Sequence, residues 1–344
     1  MTGPGNALGR RGFLSRRGFL GIAALAAAAL PGCASARDPI AATYIPESYD
    51  DLYPGVEHFL GALHRETGGE RSYEVFDAGT LLGAEQLLPG LLMDIAELIF
   101  QTSSYVSSSY PALSVMELPF VTGNFAQHRR AIDPDGPLHA EINDQLRPRG
   151  LRLLGSLPTS LEYLWTAAAP IREPADVRGM RIRVAGEIEG ETVKALGGAP
   201  VTMGSSEVYE ALERGTIDGL MSYVGTLVSR DLQQIVRYGT VAHFGAYTFD
   251  AYCRADWYEQ QPEPVRRALR AASRSLHRQG TDSMLAVHER DYLPAIAEAG
   301  VQLVEPGARE LAAFRRATAP VHEKWRAAVG PAVADRMLAR VDEA

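Results

Sequence analysis

The sequence predicts an α/β fold built on largely parallel sheets, and three observations carry that expectation. Short apolar strands alternate with amphipathic helices along the chain, which is the pattern of βαβ units. The stretch 178–225 repeats the pattern in compact form as strand, helix, strand, helix, strand. The roughly 310 residues that follow residue 33 are too many for one small core, and fit two lobes or one large domain.

Residues 43–46 (Thr-Tyr-Ile-Pro) read as the first strand. Over 54–67, Val56, Phe59, Leu60 and Leu63 recur at helical spacing, and Gly68-Gly69 ends the run. Tyr73-Glu74-Val75-Phe76 alternates as a strand, and a helix over 84–94 would bury Leu87, Leu88, Leu91 and Ile95. Glu97-Leu98-Ile99-Phe100 is a short apolar strand leading into a polar loop, 101–105. That loop is the carboxyl end of a strand, where ligands bind in sheets of this kind. Further on, 162–166 and 246–253 read as strands, and a long helix from Glu263 carries Val265, Leu269, Ala272 and Leu276 on one face. Asp133-Pro134-Asp135-Gly136 lacks the third acid and distal glutamate of a calcium loop and reads as a turn.

Within 178–225, Ile182 and Val184 bracket Arg183 on a strand, so Arg183 points away from both. An arginine at the end of a buried strand suits a carboxylate, because its planar fork offers two parallel hydrogen bonds. The bland alternative is a structural ion pair with Glu187 or Asp218. The following helix would start at Ser205-Ser206 with a serine cap, take Glu207 in its first turn, bury Val208, Ala211 and Leu212, and stop at Gly215.

The first 33 residues read as a targeting segment that stands outside the fold. Ser15-Arg16-Arg17-Gly18-Phe19-Leu20 has the form of a twin-arginine export signal. The apolar stretch after it, 22–30, is too short for a membrane span. Leu30-Pro31-Gly32-Cys33 resembles a lipoprotein cleavage box, which makes Cys33 a candidate lipid anchor. The alternative is an ordinary signal peptide cut near residues 34–36; on either reading the working protein is exported. Cys253 is then left without a disulfide partner, in an alternating run where it reads as a small core residue. The formal charge is −8, and loss of Arg10, Arg11, Arg16 and Arg17 with the leader takes it to −12. Such a balance disfavours nucleic acid or an anionic membrane as the main partner.

The stretch 178–225 also resembles the core motif of the solute-binding receptors of TRAP transporters, the DctP type. Those receptors carry K-I-R-V-P, A-L-G-A-x-P-V, S-E-V-Y-x-A-L-x-x-G and V-D-G-x-E-N segments in this order. Residues 181–185, 195–201, 206–215 and 217–222 are similar to them, as are 79–85 (G-x-x-L-G-x-E) and Glu117-Leu118-Pro119-Phe120 elsewhere, so the resemblance covers 43–325. It implies a two-lobed, clam-shell periplasmic-binding-protein fold with mixed, mostly parallel sheets and a long connecting helix. The lobes would be 40–159 plus 247–287 and 160–246 plus 288–322, with 323–344 a C-terminal helical tail. The implied function is an extracytoplasmic receptor that closes on a small organic acid and hands it to the transporter's membrane subunits. No catalysis, metal or cofactor is implied.

By the resemblance, Arg183 pairs with the ligand carboxylate. Tyr163 stands where many members have a second arginine, and Trp165 shares its outlook; the alternative is that both rings fill the core. Ser222 falls on the motif's asparagine and Met221 on its glutamate, with Tyr223 next along. Ser205 falls where some members carry an aromatic residue. Thr102, Ser103 and Tyr105 are candidate contacts from the first lobe, and Glu85 and Glu47 are weaker acidic ones. Loss of the second arginine and the asparagine points to a partly apolar or aromatic monocarboxylate. An enzyme in the same cleft is disfavoured by the lack of a Ser/His/Asp or Cys/His grouping, of an H-E-x-x-H spacing and of a glycine-rich phosphate loop. A ligand-sensing module for a receptor kinase needs the same clam-shell and stays open.

Overall fold

The computed structural model describes residues 39–344. The export signal and Cys33 lie outside the described residues. Along the chain the strands are β1 (Ile40–Thr43), β2 (Glu74–Phe76), β3 (Leu98–Thr102), β4 (Leu151–Pro158), β5 (Tyr163–Thr166) and β6 (Arg181–Val184). They continue with β7 (Ala199–Thr202), β8 (Gly219–Ser222), β9 (Tyr238–Thr240), β10 (Thr248–Arg254) and β11 (Gln302–Val304).

Two sheets form, ordered β2-β1-β3-β10-β4 and β11-β9-β5-β8-β6-β7. The expected α/β class with mixed, mostly parallel sheets is what is found. Each sheet has one reversed strand: β10 runs antiparallel to β3 and β4, and β5 antiparallel to β8 and β9. These are the strands that follow the two extended passages between sheets, at 159–162 and 241–247, whereas β11, reached through helices, runs parallel to its neighbour β9.

Alternation along the strands supplies a core on both faces of each sheet. In β1, Ile40 and Ala42 face one core while Ala41 faces the other; in β3, Ile99 opposes Leu98 and Phe100. In the second sheet Trp165 and Leu220 lie on one face, and Leu164, Ile182, Val184 and Met221 on the other. Arg183 pairs with Leu220, so it is the polar member of an otherwise apolar face, aimed at the carboxyl ends of the strands.

The expected long helix begins at Glu263, as read, and runs as Glu263–Ser275 into a π turn at Leu276–Gly280, then Thr281–Val287, a second π turn, and Leu293–Glu298. Leu269, Ala272 and Leu276 pack on the first sheet's core and Ile296 on the second's, so the rod ties the two together. The helix Ala308–Val329 does the same: Phe314 sits in the second sheet's core, Val321 and Trp325 in the first's. It runs unbroken across position 322, where the sequence reading ended the second lobe. The last helix, Pro331–Asp342, returns Ala334, Met337 and Val341 to the first sheet.

Three local readings are corrected. The first strand is Ile40–Thr43, not 43–46, because Ala41 and Ala42 pair on both sides with β2 and β3, Ile40 with β2 and Thr43 with β3. β3 continues through Gln101 and Thr102, which pair with Asp250 and Phe249, and only then turns. The helix after β7 is capped by no serine: the Glu207 carboxylate accepts the Gly204 N–H at 2.9 Å.

The two passages between sheets, 159–162 and 241–247, lie side by side. Thr159 Oγ1 donates to Tyr247 O at 2.6 Å and Glu162 N to Gly245 O at 2.9 Å. Ala246 N adds a bond to Met116 O at 3.0 Å. At their centre Gly245 has φ +110°, and a Cβ there would overlap the Glu117 carbonyl. Gly245→Ala is therefore both strained and crowded, and should lower stability by about 2–4 kcal/mol, roughly 5–10 °C in Tm. Thermal unfolding checks this, and a shift within a degree of wild type would show that the passage can yield.

Candidate functional site

Arg183 is 2 % exposed, and its hydrogen bonds go to neutral groups. Nε and Nη2 both donate to the Met203 carbonyl, at 3.1 and 2.9 Å, and Nη2 also donates to the Tyr105 hydroxyl at 3.1 Å. Neither alternative ion-pair partner engages it. Asp218 is taken by Arg181, through Nη2 at 2.7 Å, Nε at 3.1 Å and the backbone N at 2.8 Å. Glu187 stands 4.0 Å from Lys324. Burial works against the Arg183 charge, but the facing Tyr105, Glu189, Tyr247 and Tyr44 outweigh it and hold its pKa above the ordinary value.

Tyr105 comes from the turn after β3, in the first sheet, whereas Arg183 and Ser205 belong to the second. Its oxygen accepts from Arg183 Nη2 and from Ser205 N, the latter at 3.2 Å. Both bonds use the phenol as acceptor, so its own proton is left to donate into the cleft. The lobes meet closely beside it: a Cβ on Gly186, at the start of the helix Glu187–Ala195, would lie 2.6 Å from the Ser104 carbonyl. A groove of about 670 Å³ runs from this contact to the surface, with Leu88, Ser104 and Tyr105 on one side and Gly186 and Glu187 on the other.

A second guanidinium reaches the same place. Arg230, just past the helix Val224–Ser229, donates from Nη2 to Ser205 Oγ at 3.2 Å and lies 5.0 Å from the centre of the Tyr49 ring. Tyr44 sets its ring edge-on to Tyr105 at 5.2 Å and shares a 3.2 Å bond between its hydroxyl and Thr102 Oγ1. Sequence reading missed Arg230, Tyr44 and Tyr49. The arginine follows a short helix with no periodic signal, and the tyrosines sit just after the first strand, where they look like core.

Three buried glutamates stand at the base of the cleft, beside the paired passages. Glu117 accepts from Ser103 Oγ at 2.7 Å and Ser107 Oγ at 3.2 Å, yet burial, with Glu189's charge behind it, pushes its carboxyl up to about 8. Glu162 lies fully buried next to Glu189. Burial first, then the charge of Glu189, pushes Glu162 well above the usual carboxylate range. Glu189 is raised by burial too, with Arg183 and the Ala185 N–H pulling the other way. The rise is the stronger at Glu162, because Glu189 has Arg183 and the Ala185 N–H to oppose it. Among the described residues no group of three or more His, Cys, Asp or Glu side chains is arranged to hold a metal.

The structure brings together Arg183, Tyr105, Ser205 and, through Tyr44, Thr102. Ser222 is fully buried, with its hydroxyl 3.2 Å from the Tyr247 hydroxyl, and faces Tyr163 across the β5–β8 pair. Tyr163 is half-buried and packs against Trp165, ring centres 5.4 Å apart. Trp165 is in the second sheet's core, its ring against Gly239 and its Nε1–H on Ser222 O at 2.8 Å, so it fills space instead of facing the cleft. Tyr223 turns toward the first lobe, edge-on to Tyr247 at 5.5 Å and beside His288, away from Arg183. Ser103 spends its hydroxyl on Glu117, and Glu85 is exposed on the rim of the groove.

Residues 43–328 match the family model of the bacterial extracellular solute-binding proteins, family 7 (DctP). The chain belongs to that family. The uncharacterized protein YiiZ of Salmonella typhimurium is 28 % identical over 57 % of this chain, and the chain spans 58 % of that relative's length. The C4-dicarboxylate-binding periplasmic protein DctP of Rhodobacter capsulatus is 23 % identical over 80 % of this chain and 83 % of its own. A TRAP periplasmic solute-binding protein from Roseobacter denitrificans, solved with bound β-D-glucuronate, superposes with a TM-score of 0.80 at 22 % identity, over 88 % of this chain and 97 % of that one. The two-lobed α/β fold of these family-7 receptors is therefore shared. No helix among the described residues is long and apolar enough to cross a membrane.

The raised pKa of Glu117 has a definite sign. A carboxyl whose folded pKa exceeds its unfolded value of 4.5 adds stability below that value and loses it as pH rises toward about 8. The buried His128 and His139, held down to about 3 and about 4, act oppositely below their usual value of 6.5. Comparing Glu117→Gln with wild type cancels the histidines. Between pH 5 and 8 the variant should gain on wild type by up to about 1.4 kcal/mol per pH unit, measured by urea unfolding across the range. A difference that does not change with pH would mean Glu117 is ionised in the fold.

Proposed function

We propose that the protein is the extracytoplasmic solute receptor of a TRAP transporter, which binds a small organic carboxylate between its lobes and delivers it to the membrane subunits without transforming it. The observation that carries this reading is the Arg183 guanidinium, buried between the lobes and bound only to a carbonyl and a phenol. Among the described residues no carboxylate is bonded to it, and leaving a buried charge without a bonded counter-ion costs several kcal/mol. An empty protein therefore favours separation of the lobes, and a carboxylate on Arg183 favours closure. The acids named for the relatives, glucuronate and C4-dicarboxylates, are of the kind this clamp takes.

In this reading the lobes are 40–159 with 247–287 and 160–246 with 288–322, followed by the helical tail 323–344. The interlaced passages at 159–162 and 241–247 act as the hinge. Arg183 holds the carboxylate, Tyr105 donates its free proton to it, and Ser205 and Thr102 line the same space. Ser222, Tyr163 and Tyr247 support the far wall. Export through the twin-arginine signal and a lipid anchor at Cys33 would keep the receptor beside its membrane partners.

A thermal-shift screen against small organic acids tests the proposal. A ligand at 100 times its Kd should stabilise the protein by about 2.7 kcal/mol. Arg183→Ala should weaken binding of the best acid about 100-fold or more, the scale of removing one partner from a buried charge pair. Unchanged affinity in the variant would show that the clamp lies elsewhere, and conversion of the acid by purified protein would show that the cleft is an enzyme.

A further inference from the structure

Arg230 has the environment of a recognition group. It lies in none of the motifs that mark the family in this chain, and among the described residues no carboxylate comes within ion-pair distance of it. Its Nε is buried and has no acceptor. Nε and Nη2 form one edge of the guanidinium fork, and Nη2 is occupied only by the Ser205 hydroxyl at 3.2 Å, long for a bond with a charged donor. Tyr49 supplies the flat face beneath the guanidinium, and Tyr44, close enough to feel the Arg230 charge, closes the side.

Ser205 couples this group to the clamp. Its backbone N–H meets the same Tyr105 oxygen that accepts from Arg183, and its hydroxyl meets Arg230. The two guanidiniums thus stand at opposite ends of one short chain, Arg183–Tyr105–Ser205–Arg230. Each has donors directed at neutral stand-ins that a carboxylate would replace. Of the buried acids at the cleft base, Glu189 acts on Arg183.

We propose that Arg230 is the specificity-determining residue of the cleft and that it selects acids with a second acidic group. This rests on the reading of Arg183 as the carboxylate clamp, and changes the ligand expected from sequence: a short diacid in place of an apolar monocarboxylate. A hydroxyl in the second place would leave the Arg230 charge without a counter-charge, whereas a carboxylate matches its fork and its sign.

The test is calorimetric titration of the whole protein with three- to six-carbon diacids and with the monoamide of each. Wild type should bind at least one diacid about 10–100-fold more tightly than its monoamide, the scale of a hydrogen bond to a charged group. Arg230→Met should abolish that preference while leaving the monoamide's affinity within about threefold, and Arg230→Lys should restore part of the preference. Equal weakening of both ligands in Arg230→Met would make the residue a closure latch and overturn the proposal. So would a wild type without preference, or one that binds only monocarboxylates. Retained binding of every probe by Arg183→Ala would instead overturn the clamp itself, so the two readings fail separately.

Discussion

The arrangement of the molecule depends on one buried charge. Arg183 is placed by strand alternation on the face of the second sheet that also carries Leu220 of β8 and Trp165 of β5, where an apolar side chain would have completed the core. Its charge is satisfied from both sides of the cleft, by Met203 O in its own lobe and by Tyr105 from the other. Neither is an anion. On the proposed reading, these are hydrogen bonds that a carboxylate can improve on, and the free energy released by that exchange is what ligand binding would contribute to closure.

Closure of this kind needs connections that bend without tearing. Three segments join the sheets: the paired passages at 159–162 and 241–247, the rod that begins at Glu263, and the helix Ala308–Val329. The passages are bonded to each other as a two-stranded ribbon, with Gly245 against the Glu117 carbonyl where no side chain would fit. The rod departs from α geometry at 276–280 and 288–292, and π turns of this sort mark functional positions in helices more often than chance. Beside Tyr105, Gly186 lets the two lobes approach to backbone contact with Ser104. Bulk is excluded at both the paired passages and the point of closest approach.

The sequence made the scaffold legible because the scaffold is periodic. Strand alternation around Arg183, helical spacing at Val208, Ala211 and Leu212, and Leu269 to Leu276 all report burial, and the structure buries them. The site was legible only where it coincides with those periods. Arg183 announced itself by interrupting a strand, but Arg230 interrupts nothing, and its partner Ser205 looked like a helix cap until Glu207 proved to hold that role. Trp165 and Tyr223 were drawn to the cleft by counting alternate or adjacent residues, a rule that gives the face of a sheet but not how far along it a ring sits. The acid cluster was invisible for a different reason: Glu117, Glu162 and Glu189 come from three separate parts of the chain and meet only when the fold is complete.

On the proposed reading, that cluster explains how a protein with a formal charge of −8 would attract an anion. Net charge acts over distances that salt screens within about 8–10 Å, so what a ligand meets inside the cleft is decided by the groups that line it. All three acids there, Glu117, Glu162 and Glu189, are pushed upward by burial, Glu117 to about 8, while Arg183 and the Ala185 N–H pull Glu189 the other way. Burial thereby weakens the negative side of the cleft, while Arg183, whose pKa is held above its ordinary value, keeps its charge. Desolvation disfavours the charged form of every group it reaches, but a carboxyl can answer by taking a proton and a guanidinium cannot. The same burial that raises the glutamates therefore tips the balance of the cleft toward positive charge, and on the proposed reading a carboxylate ligand answers it.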